Sequence, residues 1–230
     1  MNHTIPGGFL LAIEGIDGAG KSSQAEAVAR VLRDRGLSCV ITREPTNGPW
    51  GRKLRESATH GRLSPAEELE AFMEDRKEHV NEVIRPALAA GKVVVTDRYY
   101  FSTVAYQGAR GHDPNMLLKQ NEAIAIEPHL LVLIDLDPDM GLARIGRRGD
   151  RANQFETVTE LARARQIFLS LRKPYLVRID GQARPIVIRD EILLAFGRAA
   201  IERIAAGTAS TARERLNACL AVHGAETMRD

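Results

Sequence analysis

Gly15-Ile16-Asp17-Gly18-Ala19-Gly20-Lys21-Ser22 is the stretch that decides the fold. It fits G-x-x-x-x-G-K-[ST] at every fixed position, the pattern of a loop that cradles nucleotide phosphates. Glycines let the backbone curl until successive N–H groups point at phosphate oxygens. The helix that follows, entered through Ser23, adds its positive N-terminal end. Lys21 is placed to reach the β- and γ-phosphates of a nucleoside triphosphate, and the Ser22 hydroxyl to ligate Mg²⁺.

The flanks supply the context this loop needs. Phe9-Leu10-Leu11-Ala12-Ile13 is a continuous apolar run ending in Glu14, which reads as a strand buried on both faces. Ser23 to Arg35 has good helix formers, with apolar positions at Ala27, Val28, Val31 and Leu32, and Gly36 ends it. Ser38 to Thr42 is a second strand, and Arg43 to Gly51, rich in Pro, Gly and Asn, is a loop. Ser64-Pro65 opens a long helix that bends or breaks at Pro86. Val93-Val94-Val95 is a third strand running into Thr96-Asp97-Arg98, and Leu130 to Ile134 a fourth ending at Asp135. Pro185 to Ile188 is a weaker fifth. Strands alternating with helices predict a three-layer α/β/α fold of the P-loop kinase type, with a mostly parallel sheet of about five strands. Ligands in such sheets sit beyond the carboxyl ends of the strands. The reading gives one kinase domain over residues 1–206, with a short arginine-rich lid at about 144–156. A helical or flexible tail follows over 207–230.

Composition agrees with one α/β domain: 230 residues, 44% apolar and 27% charged. A formal net charge of +2 gives no strong field for polyanions, so no nucleic-acid partner is expected. The two cysteines, Cys39 and Cys219, have no metal-ligand spacing and read as buried, reduced thiols. Met1 to Gly8 lacks the basic-then-apolar pattern of a secretory signal, and no apolar run is long enough to span a bilayer. The expected location is the cytoplasm, where ATP is abundant.

The acceptor side is read from polar residues beyond the strands. Asp97 is placed to hold hydrated Mg²⁺ and Arg98 to grip a second anionic group, although a strand-end salt bridge is the bland alternative. Ser102 and Tyr106 share one helical face, with Thr103 and Gln107 beside them. Such a run reads as the wall of a polar pocket or as a solvated face. Phe72 and Arg76 are an i, i+4 pair able to stack a base and hydrogen-bond its edge. Phe72 alone reads more often as core. Arg144, Arg147, Arg148 and Arg151 would form one basic stripe. Gly146 and Gly149 interrupt it, as suits a mobile lid that shares an anion such as the ATP phosphates.

Together, the phosphate loop, Thr42-Arg43-Glu44-Pro45, Phe72 to Arg76, Val83-Ile84-Arg85-Pro86-Ala87-Leu88, Asp97-Arg98-Tyr99 and Ser102 to Ala109 resemble thymidylate kinases over about residues 9–175. The resemblance implies ATP + dTMP giving ADP + dTDP with Mg²⁺, and a homodimer. It implies that Phe72 stacks on thymine, that Arg76 meets the base edge, and that Thr103 faces the base. Arg98 and Arg55 would hold the acceptor phosphate. Tyr106 would occupy the place of a ribose 2′-hydroxyl, Asp17 would lie near the 3′-hydroxyl or Mg²⁺, and Ser102, Gln107, Glu44 and Glu156 would complete the pocket. The family carries its catalytic arginine either in the P-loop or in the lid. With Gly18 beside Asp17, this chain resembles the lid type, which points to Arg147 on ATP and to Arg148 and Arg151 in catalysis. Two segments depart from the family pattern: Thr46-Asn47 replaces Gly-Gly after Arg-Glu-Pro, and the lid aligns in two registers. A kinase for another nucleoside monophosphate or a deoxynucleoside, and a P-loop regulatory ATPase, are the alternative readings.

Overall fold

A computed structural model describes residues 3–61, 63–147 and 157–206. Five strands, β1 (Phe9–Glu14), β2 (Cys39–Arg43), β3 (Val93–Asp97), β4 (Leu130–Asp135) and β5 (Leu176–Asp180), form one sheet in the order β2-β3-β1-β4-β5. Every pairing is parallel. β1 and β3 are buried along their whole length, as their unbroken apolar runs require when helices cover both faces. The helices are α1 (Lys21–Asp34), α2 (Pro49–His60), α3 (Pro65–His79), α4 (Arg85–Ala89), α5 (Tyr100–Ala109), α6 (Pro114–Glu122), α7 (Pro138–Arg147), α8 (Val158–Ser170) and α9 (Pro185–Ala206).

The strand order places the site. From β1 the chain crosses to β2, returns through β3, then leaves on the other side through β4. The reversal opens a crevice between β1 and β3, where such sheets bind ligands. Register sets Ile13 opposite Asp97, so the turns after the two strands emerge side by side. The core beneath them is continuous from Phe9 through Val94, Val132 and Ile134 to Phe196. Phe9 and Phe196 meet edge to face at 4.9 Å.

Three local expectations change. The fifth strand is Leu176–Asp180, and Pro185–Ile188 instead opens α9. The β-branched run there carries a strand propensity that tertiary packing overrides. Ile188, Ile192 and Phe196 are buried at four-residue spacing, and Pro185 suits a first helical position. The loop after β2 ends at Gly48, because Pro49 starts α2. The long helix from Pro65 does not simply kink at Pro86: a π-helical turn, Val80–Ile84, separates α3 from α4 ahead of it. Ser64 caps α3 with a reciprocal Ser64–Glu67 capping box. No helix among the described residues is long and apolar enough to cross a membrane.

Candidate active site

The loop after β1 is shaped to meet an anion. Gly20 is the N-cap of α1 at φ 90°, with no side-chain cap and no acidic residue in the first turn. The N–H groups that open α1 therefore face the loop without competition from a capping oxygen. Ile16 and Ala19 are buried and tie the loop down, with Ala19 N donating to Ile16 O at 3.2 Å. Lys21 is buried and donates to Ile16 O at 2.8 Å. Burial, and then Arg98, lower its pKa to about 8. Ser22 and Ser23 follow on the exposed side of the first turn.

The turn after β3 lies against that loop. Ser22 Oγ donates to Asp97 Oδ2. Asp97 Oδ1 is buried without a partner among the described residues. A carboxylate oxygen left bare beside a serine hydroxyl is the donor set a hydrated divalent cation takes. Arg98 adopts φ 67°, uncommon for a residue with a side chain. Its backbone is held on both sides: its N–H donates to Ile13 O at 3.0 Å, and Thr96 Oγ1 donates to its carbonyl at 2.7 Å. The guanidinium donates to Asp17 Oδ1 and, at 3.2 Å, to Ser102 Oγ. Burial lowers its proton affinity, but Asp17, Tyr106, Asp97 and Glu14 together outweigh that and keep Arg98 charged.

Glu14 organises this turn, and the sequence reading did not single it out. It ends an otherwise apolar strand at 0% exposure. Its carboxylate accepts from Tyr99 N at 2.8 Å, Ser102 N at 3.0 Å and Ser102 Oγ at 2.6 Å. Burial pushes its pKa up to about 7 against those hydrogen bonds. Tyr106 supports Asp17 in a similar way, donating to Asp17 Oδ2 at 2.8 Å and accepting from Asp17 N at 3.0 Å.

Arg98, Asp17 and Tyr106 form one end of a cavity of about 300 Å³. Glu44, Arg55, Phe72, Arg76, Ser102, Thr103 and Gln107 are among the other residues that line it. Phe72, half-buried, faces this cavity one turn before Arg76, as their spacing suggested. Arg76 is 1% exposed. It donates to Glu44 Oε2 through Nε at 3.1 Å and Nη2 at 2.5 Å, to Thr103 Oγ1 at 3.1 Å, and to Asn121 Oδ1. Gln107 donates to Glu68 at 3.0 Å, while its Oε1 is buried with no partner among the described residues. The loop after β1 thus abuts a partly open cavity, with the Arg98 guanidinium where the two meet.

Comparison with known proteins resolves which kinase pattern this is. The family model described as thymidylate kinase matches residues 13–192. A thymidylate kinase from Xanthomonas campestris pv. campestris (strain B100) is 46% identical over 210 residues, 91% of this chain and 92% of that protein. One from Xylella fastidiosa (strain M12) is 50% identical over 182 residues, 79% and 83% of the two chains. One from Xanthomonas euvesicatoria pv. vesicatoria (strain 85-10) is 52% identical over 178 residues, 77% and 78%. The chain belongs to the thymidylate kinase family.

Where this thymidylate kinase family member departs from the pattern, the structure supplies compensation. Thr46, in place of glycine, donates from N and Oγ1 to Asp75 at 2.9 and 2.6 Å and accepts from Gly48 N. Asn47 Oδ1 accepts from Arg43 and Arg55 at 3.3 Å, and Arg55 also donates to Pro45 O at 3.1 Å. The loop is therefore ordered by side chains where glycines would leave it to the backbone. Gly18, at φ 81°, has no room for a side chain: a Cβ there would sit 2.6 Å from Gly141 Cα in α7. An arginine cannot occupy that position in this arrangement.

The basic stripe divides. Arg144 and Arg147 belong to the last turn of α7, so this part is helical despite Gly146. Arg144 donates to Gly181 O at 3.0 Å and lies 3.5 Å from Gly18 O, clamping the phosphate loop to the turn after β5. Arg147 is exposed and donates back to Ala143 O. Arg148, Arg151 and Glu156 lie outside the described residues, as do residues 207–230 of the expected tail. Besides Glu14, sequence reasoning missed His79 and Asn121, which hold Glu44 and Arg76. His79 was within reach, three residues beyond Arg76 on the same helix; Asn121 comes from a separate helix and carries no local signal. Cys39 is half-buried, its thiol pushed up to about 11 by burial.

Proposed function

We propose that this protein transfers the γ-phosphoryl group of ATP to the phosphate of dTMP, giving ADP and dTDP. The observation that carries this reading is the position of Arg98. Its guanidinium lines the cavity beside Asp17 and Tyr106, directly against the phosphate loop. Family membership supports the same acceptor.

The acceptor is itself a phosphate oxygen, so it needs no strong base. It attacks the γ-phosphorus while the bond to the β,γ-bridging oxygen breaks and that oxygen leaves on ADP. The obstacle is the approach of two anions, and catalysis is positioning plus charge neutralisation. Gly15 to Ser23 bind the donor phosphates through backbone N–H groups. Lys21 neutralises charge on the transferring group, and the triphosphate draws its proton back on. Arg98 and Arg55 grip the acceptor phosphate. Phe72 stacks on thymine, and Arg76, Thr103 and Gln107 meet the base edge. Gln107 Oε1 suits the N–H of a pyrimidine-dione. Tyr106 excludes a 2′-hydroxyl, and Asp17 lies near the sugar. Ser22 and Asp97 would hold Mg²⁺, which when bound supplies charge compensation between the phosphates. Arg147, Arg148 and Arg151 act from the lid with Glu156, since position 18 has no space for the alternative arginine. We further infer a homodimer working in the cytoplasm, with residues 1–206 as the kinase unit.

The test is an ADP-coupled assay with Mg-ATP and dTMP, dUMP, UMP, CMP and thymidine side by side. The reading requires dTMP to give the highest kcat/KM. Equal rates with and without acceptor would remove it.

A further inference from the structure

Between the acceptor cavity and the cleft beside Ser22 and Asp97 stands one imidazole. His79 is 2% exposed. Its Nε2 lies 2.8 Å from Thr42 Oγ1 and its Nδ1 2.9 Å from Glu44 Oε1. His79 and Thr42 line the cleft with Ser22 and Asp97, whereas Glu44 lines the acceptor cavity with Arg76.

The Glu44–Arg76 pair has an unusual shape. Arginine and a carboxylate prefer a fork, two N–H groups on two oxygens. Here Arg76 Nε and Nη2 both go to Glu44 Oε2, at 3.1 and 2.5 Å. Oε1 is held by His79 instead. Glu44 is fully buried: burial raises its pKa, but Arg76 and His79 outweigh burial and hold it below the ordinary value. A buried carboxylate that loses one partner does not stay still. With Oε1 released, the fork geometry that arginine and carboxylate prefer would draw both oxygens to the guanidinium, and Arg76 away from Thr103. The helix itself marks the place: α3 passes into its π-helical turn immediately after His79. π-turns are rare and are frequent at functional sites.

We propose that His79 is a positioning residue for base recognition: by occupying Glu44 Oε1 it keeps Arg76 from closing a fork and leaves its guanidinium aimed at the acceptor base. This inference rests on the reading that the acceptor base sits in the cavity of Phe72 and Arg76. Nothing in it requires contact between His79 and substrate.

Three variants separate the roles of the two ring nitrogens. His79→Asn keeps a donor where Nδ1 stands and drops the Thr42 contact. His79→Gln reaches Thr42 and vacates Glu44. His79→Leu removes both at similar bulk. Each is assayed for kcat, KM for dTMP, KM for ATP and the dTMP/dCMP preference, beside its Tm. The expected result is a KM for dTMP raised tenfold or more in His79→Gln and His79→Leu, with a narrowed base preference. KM for ATP stays within twofold, and His79→Asn recovers to within threefold of the parent. A merely structural role moves both KM values and kcat in step with Tm, and gives His79→Asn no advantage over His79→Gln; that pattern overturns the proposal. A His79→Leu chain that does not fold leaves the Asn–Gln comparison, which decides alone. Absence of dTMP-dependent turnover in the parent sinks the functional reading itself, a different outcome from an active parent with indifferent variants.

Discussion

Replacing Arg98 by alanine tests the acceptor site at its narrowest point. The guanidinium has five N–H donors, of which one goes to Asp17 and one to Ser102. The remaining donors can meet two phosphate oxygens as a fork. A charge-assisted hydrogen bond contributes about 1.5–3 kcal/mol, so two contribute roughly 3–6 kcal/mol. At about 1.4 kcal/mol per decade, kcat/KM for dTMP should fall by roughly 10² to 10⁴. The fold should survive, because Asp17 keeps Tyr106, which both donates to it and accepts from it. ATP binding should change little, since the phosphate loop and the N-terminus of α1 are untouched. The assay is steady-state kinetics in dTMP at saturating ATP, with ATP affinity measured separately by calorimetry. Arg98→Lys, a point charge without the fork, should fall between parent and alanine. A loss below tenfold in Arg98→Ala, or an equal loss of ATP affinity, refutes the placement of the acceptor phosphate.

Three further perturbations follow from the same geometry. Glu14 has a pKa raised to about 7 by burial, so the folded state favours its protonated form. Its contribution to stability is greatest below the ordinary pKa of 4.5 and is lost as pH rises to about 7, on the order of 3 kcal/mol at full ionisation. Glu14→Gln, neutral and able to keep Tyr99, should flatten denaturant-derived stability across that window; an unchanged slope contradicts the assignment. Tyr106→Ala should narrow the dTMP-over-UMP ratio of kcat/KM by about tenfold, a hydrogen-bond-sized effect, while Tyr106→Phe keeps the ring and most of the ratio; equal ratios in Tyr106→Ala and parent remove its role. Gly18→Ala combines a left-handed backbone, costing roughly 1–2 kcal/mol, with overlap against Gly141. Its KM for ATP should rise at least tenfold and its Tm fall, and unchanged values would mean that the loop does not pack on α7.

Much of this molecule is legible from local pattern. The stretch from Gly15 to Gly20 reads correctly as the turn between β1 and α1, because its glycines and the apolar run before it are local signals. β1, β3 and β4 read correctly because strands covered on both faces are apolar throughout. β5 escapes the apolar-run signal because it is an edge strand, exposed at Arg178 and Asp180, and a more apolar β-branched run lies close by in α9. The spacing predicts a basic stripe that shares one anion, yet Arg144 holds two backbone carbonyls, partners no spacing rule specifies. Glu14, His79 and Asn121 escaped for a related reason. Glu14 holds Tyr99 and Ser102 from 85 and 88 residues away, His79 holds Glu44 from 35, and Asn121 holds Arg76 from 45, and only the tertiary fold brings these groups together. Residues that face a ligand carry recognisable types, whereas those that hold them are ordinary polar residues made informative by burial.

The account depends on one event, the passage of a phosphoryl group from the triphosphate in the loop after β1 to a nucleotide held by Arg98. Incubation with ATP labelled at the γ-phosphorus, Mg²⁺ and dTMP, followed by chromatographic separation, measures it directly. The account predicts label in dTDP at a rate matching ADP formation. Label appearing only as inorganic phosphate, or remaining in ATP, contradicts it.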